Sequence, residues 1–299
     1  MSIFEEFGLT SELLIILLID LGIAMVLLTL MRYLLGWSAK VNSTHELAEK
    51  DNFAFGISTA GAVAAMGIVL TGAITGEAGS SYAVEAIGLS AYGICGLILI
   101  KLGRFLHDKI ALNKINKTES ILAGNKAVSI VDASAVIATA IIIRATLLWA
   151  EGLNIDTFIA IFSSFIIAQL MMVLLTRWRE YSYAKRNQGE SFQQGLQNNN
   201  TALALRHSGY LIAMGLSFNA ASHFIPFSPT AYVANVVSWL VFSIIMLLVL
   251  SVMQAIVKAV VLSKINRSLE VEKQQNVGVA AIEMAISISV ALILTALMA

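Results

Sequence analysis

Asn200-Thr201-Ala202-Leu203-Ala204-Leu205-Arg206-His207-Ser208-Gly209-Tyr210-Leu211-Ile212-Ala213-Met214-Gly215 decides how this chain is read, because its skeleton occurs twice. Asn52-Phe53-Ala54, Gly61 and Ala65-Met66-Gly67 stand in the same order and spacing as Asn200-Thr201-Ala202, Gly209 and Ala213-Met214-Gly215. Three more matches lie around this one. Met25-Val26-Leu27-Leu28-Thr29 recurs as Met172-Val173-Leu174-Leu175-Thr176, and Lys114-Ile115-Asn116-Lys117 recurs as Lys264-Ile265-Asn266-Arg267. Asn125, seven residues before Asp132, recurs as Asn276, seven residues before Glu283. Four ordered matches at offsets of 147 to 151 define an internal duplication, with one repeat over 1–151 and the other over 152–299.

Each repeat is too apolar for water. Of 299 residues, 58% are hydrophobic and 13% charged, and the mean hydropathy is +0.82, which places the chain among integral membrane proteins. A spanning helix needs about 20 apolar residues to cross ~30 Å of hydrocarbon. Eight segments qualify, at 13–35, 52–75, 83–103, 126–149, 157–177, 200–221, 231–257 and 276–297. The first opens with Glu5, Glu6 and Glu12 and no basic stretch, so it reads as a retained helix and not a cleaved leader. Four spans per repeat bring the second repeat into the membrane in the same sense as the first. The expected fold is all-α, with eight transmembrane helices in two parallel four-helix repeats around a pseudo-two-fold axis along the membrane normal.

Nineteen basic residues balance nineteen acidic ones, which argues against a nucleic-acid partner. Their placement is asymmetric. Seventeen of the basic residues flank or fill the connections after spans one, three, five and seven, whereas the other connections carry acids such as Glu77, Glu85, Glu151 and Asp156. The positive-inside rule then puts both termini outside and the basic loops in the cytoplasm. One cysteine, Cys95, excludes an internal disulfide framework or a cysteine-rich redox centre, and two prolines leave no room for a disordered tail or second soluble domain.

Asn198-Asn199-Asn200-Thr201-Ala202-Leu203-Ala204, followed by Ser208-Gly209, resembles the first signature of the bacterial inner-membrane family catalogued as domain of unknown function 350, whose single-copy members are the short YjfL-like proteins. Asn125-Lys126-Ala127 and Asn276-Val277-Gly278 resemble its second signature, the opening of the fourth span. The resemblance covers nearly the whole chain. It implies a four-helix repeat often found in tandem, and it brings no activity with it. Arg206 and His207 depart from the family pattern, which has small or apolar residues there, as at Ser58 and Thr59 of the first copy.

Five ionisable side chains fall within spans: Asp20, Asp132, Arg144, Arg206 and Glu283. Each costs ~2.5–3.5 kcal/mol at a helix centre, so each should face protein or water, be paired, or be neutralised. Arg206, Asp132 and Glu283 lie six or seven residues from the asparagine opening their spans, which sets them at one level, roughly 10 Å deep. Helical spacing turns Arg206 towards the small-residue face of its span, into protein. The expectation is that Asp132 and Glu283 line a shared interior with Arg206 paired to one of them, and that Asp20 is either a third element of it or an interfacial contact. Arg144 lies near the outer end of its span, where it can reach towards Glu151.

Asn52, Asn125, Asn200 and Asn276 each open a helix on the cytoplasmic side. They are read as N-caps, or as a polar vestibule whose helix N-termini favour anions. His207 reads as a packed histidine, and no His/Cys spacing suits a metal. No phosphate loop or nucleophile–base set is present, so no enzyme and no cofactor are expected. Two functional readings follow. One is a permeation or exchange path for protons or small cations through Asp132, Glu283 and Arg206, a transporter or channel. The other is a non-conducting membrane scaffold or envelope-stress component whose charges are structural and whose basic loops dock a cytoplasmic protein. Beyond the lipid bilayer, the sequence leaves homo-oligomerisation open.

Overall fold

In a computed structural model, residues 10–75, 81–150 and 152–298 are described, and among them every regular element is helical. The helices are α1 (Ser11–Ala39), α2 (Phe53–Ile74), α3 (Tyr82–Leu106), α4 (Lys117–Leu122), α5 (Lys126–Trp149), α6 (Ile155–Arg186), α7 (Phe192–Gln197), α8 (Thr201–Ser222), α9 (Tyr232–Val261) and α10 (Val277–Met298). Wide five-residue π turns follow α1, α3 and α9, at His45–Glu49, His107–Ala111 and Leu269–Lys273. Glu5, Glu6, Glu77 and Glu151, used above to read the leader and the loops, lie outside the described residues.

Helices suit this composition because a chain in lipid must satisfy its own backbone polar groups. Their starts are set by side chains that accept from the first free N–H groups: Thr10, Ser81 and Asn154 open α1, α3 and α6. Seven of the eight long helices are long and apolar enough to cross a membrane. The other is α8, which carries Arg206, His207, Ser208, Ser217 and Asn219 among its apolar residues. Most of its residues are buried, because neighbouring helices enclose it. Those polar side chains therefore sit on a helix that, like α5, is enclosed for most of its length.

The long helices form two layers. α2, α5, α8 and α10 pack side by side in that order as an inner row, and α1, α3, α6 and α9 lie against it. Residue pairing fixes the directions. Gly61 sits against Ala133 and Gly72 against Arg144, so α2 and α5 run the same way. Ser134 meets Ser208 and Ala138 meets Gly215 between α5 and α8, and Gly209 meets Met284 while Leu216 meets Thr295 between α8 and α10. All four inner helices thus start at one end. The outer helices run oppositely: Gly103, Gly96 and Gly93 of α3 approach Thr139, Val69 and Leu70 of the inner row.

Close approach at small residues holds the inner row together. A Cβ added to Gly209 would lie 2.7 Å from the Met284 Cα, and one added to Gly215 would lie 2.9 Å from the Ala138 carbonyl oxygen. Lipid tails offer no hydrophobic gain for helix association, so backbone-to-backbone contact supplies dispersion energy in its place.

The row also corrects the expected symmetry. A two-fold axis relating the repeats pairs α2 with α8 and α5 with α10, so the α5–α8 contact requires an equal α10–α2 contact. α5 packs along α8, but α10 and α2 stand at opposite ends of the row and are not packed as neighbours. The repeats are related head to tail, because the surface that α5 offers differs from the surface of α8 that receives it. Arg144 donates through Nε to the Thr71 hydroxyl at 3.0 Å, and Glu151, towards which it was expected to reach, lies outside the described residues.

Replacing Gly209 with leucine forces a side chain into the Met284 backbone, and overpacking of this kind costs about 1–3 kcal/mol or more. Gly22, on α1, has nothing within 4 Å of an added Cβ. Thermal unfolding in detergent should show G209L clearly destabilised and G22L close to the parent; equal melting temperatures would show that the inner row is not close-packed.

Candidate functional site

The two repeats place their intramembrane acids in two separate clusters. In the first, Asp132 on α5 is fully buried. Its Oδ1 accepts from Lys117 Nζ at 2.5 Å and from Arg104 Nε at 3.0 Å, and its Oδ2 accepts from an Arg104 amine at 2.6 Å and from the Ser58 hydroxyl. Lys117 is paired a second time with Asp108. The adjoining cavity is small, about 170 Å³, and its walls carry three cations, Lys101, Arg104 and Lys117, against the two carboxylates Asp108 and Asp132.

In the second, Glu283 on α10 accepts from Arg206 Nε at 2.5 Å and has an Arg267 amine 3.7 Å away. Arg206 also donates to Glu272 at 2.8 Å and to the Arg267 carbonyl at 2.6 Å, and Glu272 further accepts from Arg186 at 3.1 Å and Asn187 at 2.6 Å. This cluster forms one wall of a cavity of about 650 Å³. Its walls carry five cations, Arg179, Arg186, Arg206, Lys258 and Arg267, against the two carboxylates Glu272 and Glu283.

Repeat correspondence explains the difference. Counting back from Asn116 and Asn266, Arg104 corresponds to Gln254 and Asp108 to Lys258; counting from Asn52 and Asn200, Ser58 corresponds to Arg206. The acid has kept its position while its arginine has moved from the outer helix to the inner one. The second exchange replaces a carboxylate with an ammonium, and this gives the second cavity its excess of positive charge.

Two of those cations form no salt bridge with a carboxylate among the described residues. Arg179 and Lys258 lie over the same Tyr210 ring, 3.3 Å and 4.2 Å from its centre. Lys258 is only 3% exposed, and one terminal nitrogen of Arg179 is buried with no hydrogen-bond partner. Cation–π attraction offsets part of the cost of burying them, but two like charges on one ring repel each other.

The remaining site residues fall elsewhere. Arg206 and Glu283 are joined as expected of a pair, yet Asp132 belongs to the other cluster, and α8 separates α5 from α10, so no interior is shared. Asp20 is buried on α1 with Oδ1 unpartnered, close to Glu85. Glu85 lies nineteen residues before Arg104 on α3, about 28 Å along the helix, so Asp20 sits far from either cluster. His207 is buried with its ring 5.0 Å from that of Phe192. No three His, Cys, Asp or Glu side chains among the described residues gather to hold a metal.

The four asparagines cap helices and line neither cavity. Asn52, Asn125, Asn200 and Asn276 accept from Phe55, Val128, Leu203 and Val279 N–H groups at 2.9–3.1 Å. The Asn52 amide also donates to the last carbonyls of α4, and the Asn125 amide to those of α7. The Asn276 amide donates instead to the Glu270 carboxylate at 2.8 Å.

Sequence reasoning counted Arg104, Lys117, Arg267, Lys258 and Arg179 only as loop charges. One signal did mark two of them: the last residues of the repeated Lys114–Lys117 and Lys264–Arg267 tetrapeptides are the cations facing Asp132 and Glu283.

Helical repeats in tandem, with seven apolar membrane-length helices, define a multi-pass membrane protein built by duplication. The chain belongs to the family described as Domain of Unknown Function (DUF350), whose model matches it twice, over residues 8–147 and 152–298. No curated protein and no solved structure matches it.

Removing the Asp132 charge leaves Arg104 without its carboxylate and Lys117 with Asp108 alone, and breaking a buried pair in this way costs about 3–5 kcal/mol. D132N should therefore lose most of the protein's stability, while D51N, at an exposed carboxylate, should change it by less than about 0.5 kcal/mol. Denaturant unfolding in micelles measures both; a D132N protein as stable as the parent would remove Asp132 from its role as counter-ion.

Proposed function

We propose that this chain is an eight-span inner-membrane protein, with both termini periplasmic, that holds a phosphate-class anion in the cavity of its second repeat. Seventeen of nineteen basic residues on one side support that orientation, and α8, enclosed by its neighbours, serves as the eighth span. Both repeats then enter in the same sense, and the cavity opens at the cytoplasmic end. The observation that carries the reading is the pair Arg179 and Lys258 on Tyr210, surplus positive charge buried in a 650 Å³ space without a carboxylate. An anion entering there relieves their repulsion and satisfies the unpartnered Arg179 nitrogen.

A cation path is less well supported. Asp132 and Glu283 are already neutralised by arginine and lysine, and a cation approaching Glu283 meets five fixed positive charges first. The scaffold reading agrees with the closed first cluster, where ion pairs lock α2, α3 and α5 together. Lys117, counted among the docking lysines, is buried in that lock and is not a docking residue. No nucleophile–base pair lines the cavity, and the reading is a binding protein, not an enzyme.

The anion can be a soluble phosphate compound or the headgroup of an acidic lipid, which the same chemistry recognises. Calorimetry on the protein in neutral-lipid nanodiscs, titrated with pyrophosphate, tests the first source; affinity for nanodiscs versus vesicles containing phosphatidic acid tests the second. K258Q and R179Q should each weaken binding about tenfold, the equivalent of ~1.4 kcal/mol. Neither should destabilise the empty protein, since each removes an uncompensated charge. Binding from neither source, or proton or cation flux in proteoliposomes that E283Q and D132N abolish, would overturn the proposal.

A further inference from the structure

The inner row ends at two unused faces, and the chain itself shows what each fits. Within the molecule, α5 joins α8 through small residues: Ser134 and Ser208 share a hydrogen bond of 2.9 Å, Ala138 lies against Gly215, and Ala127 and Ala204 are fully buried. The offset of 151 carries Ala127, Ser134 and Ala138 onto Gly278, Ala285 and Ser289 of α10, and all three are exposed. The offset of 148 carries Ala204, Ser208 and Gly215 onto Gly56, Ala60 and Gly67 of α2. Ala60 is exposed, and an added Cβ at Gly67 meets nothing within 4 Å, whereas at Gly215 it strikes the Ala138 carbonyl.

A polar contact matches in the same register. Asn199 takes a left-handed conformation, φ 59°, from which its side-chain oxygen accepts from the Ala127 N–H at 3.0 Å at the start of α5. The corresponding residue is Asp51, also left-handed with φ 46°, exposed and just ahead of α2. The N–H equivalent to Ala127 belongs to Gly278, at the start of α10. A strained non-glycine conformation kept in both repeats holds an acceptor where the next helix N-terminus would receive it.

We infer that copies of this chain join head to tail, with the α10 face of one against the α2 face of the next, reproducing between chains the α5–α8 junction within the chain. The contact is heterologous, so it leads to a closed ring where the rotation per repeat divides the circle and to an open row otherwise. It also gives α1 a neighbour. α6 packs on α5 across the internal junction, and its counterpart α1, the least enclosed of the membrane-length helices, would pack on the α10 of the adjoining copy. The inference is independent of any ligand in the second cavity.

Cross-linking in native membranes tests it. With Cys95 replaced by alanine, chains carrying A60C and differently tagged chains carrying A285C are produced together and oxidised; these positions mirror Ser208 and Ser134. A disulfide joining the two tags, with no dimer from either variant alone, is the expected result. An in-chain S134C/S208C pair confirms that the junction geometry permits the bond. G67L, which meets nothing in its own chain, should lower the cross-linked fraction at least fivefold. No mixed dimer would mean that lipid covers these faces, and a dimer from A60C alone would mean a two-fold contact; either overturns the inference, as does a cross-link that G67L leaves unchanged.

Discussion

Everything in this molecule depends on four helices approaching one another at backbone distance. In water, burying leucine would suffice; in lipid, leucine is as comfortable outside as in. Gly61, Gly209 and Gly215 let α2, α5, α8 and α10 run in contact, and that closeness fixes register, direction and the depth at which each acid is buried. Once α5 is held so tightly, Asp132 cannot escape to water, and its cations must come to it from the end of α3 and the start of α4.

The two clusters are one design with its charges redistributed. The first is the smaller and the more nearly balanced, with both carboxylates taken up in ion pairs. The second keeps the acid, moves the arginine inward and exchanges Asp108 for Lys258, which leaves a larger space and surplus cations. Duplication thus let the two copies diverge: one kept a compact set of ion pairs, and the other gained a larger cavity with surplus cations.

Much of the fold is legible in the sequence, since apolar length gives the long helices and the repeated Asn52 and Asn200 mark their starts. That Arg206 pairs with an acid at its own depth is legible too, but the choice of Glu283 over Asp132 is not, because both lie at that depth and only the packing of α8 against α10 brings Glu283 to it. The symmetry was not. A parallel duplication is compatible with a two-fold or a head-to-tail relation, and choosing between them requires knowing which face of α5 meets α8. The cations of both clusters were hidden for a different reason: Arg104 and Lys117 sit at helix ends, where hydropathy cannot tell a solvated charge from one turned inward. Of the two readings of the asparagines, capping is the one seen, since each side-chain oxygen takes a backbone N–H and none of the four lines either cavity.

The relocated arginine also constrains the history of the chain. If both repeats descend from one sequence, the change between the Ser58/Arg104 and Arg206/Gln254 arrangements passed through an intermediate with either no arginine beside the acid or two. The first leaves a buried carboxylate bare at a cost of about 3–5 kcal/mol, a large part of the 5–15 kcal/mol by which folded proteins typically survive. The second costs far less wherever a spare guanidinium can turn into an open space. Gain before loss is therefore the passable order, and a repeat with a roomy, electropositive mouth is the one in which the exchange could occur without unfolding the intermediate.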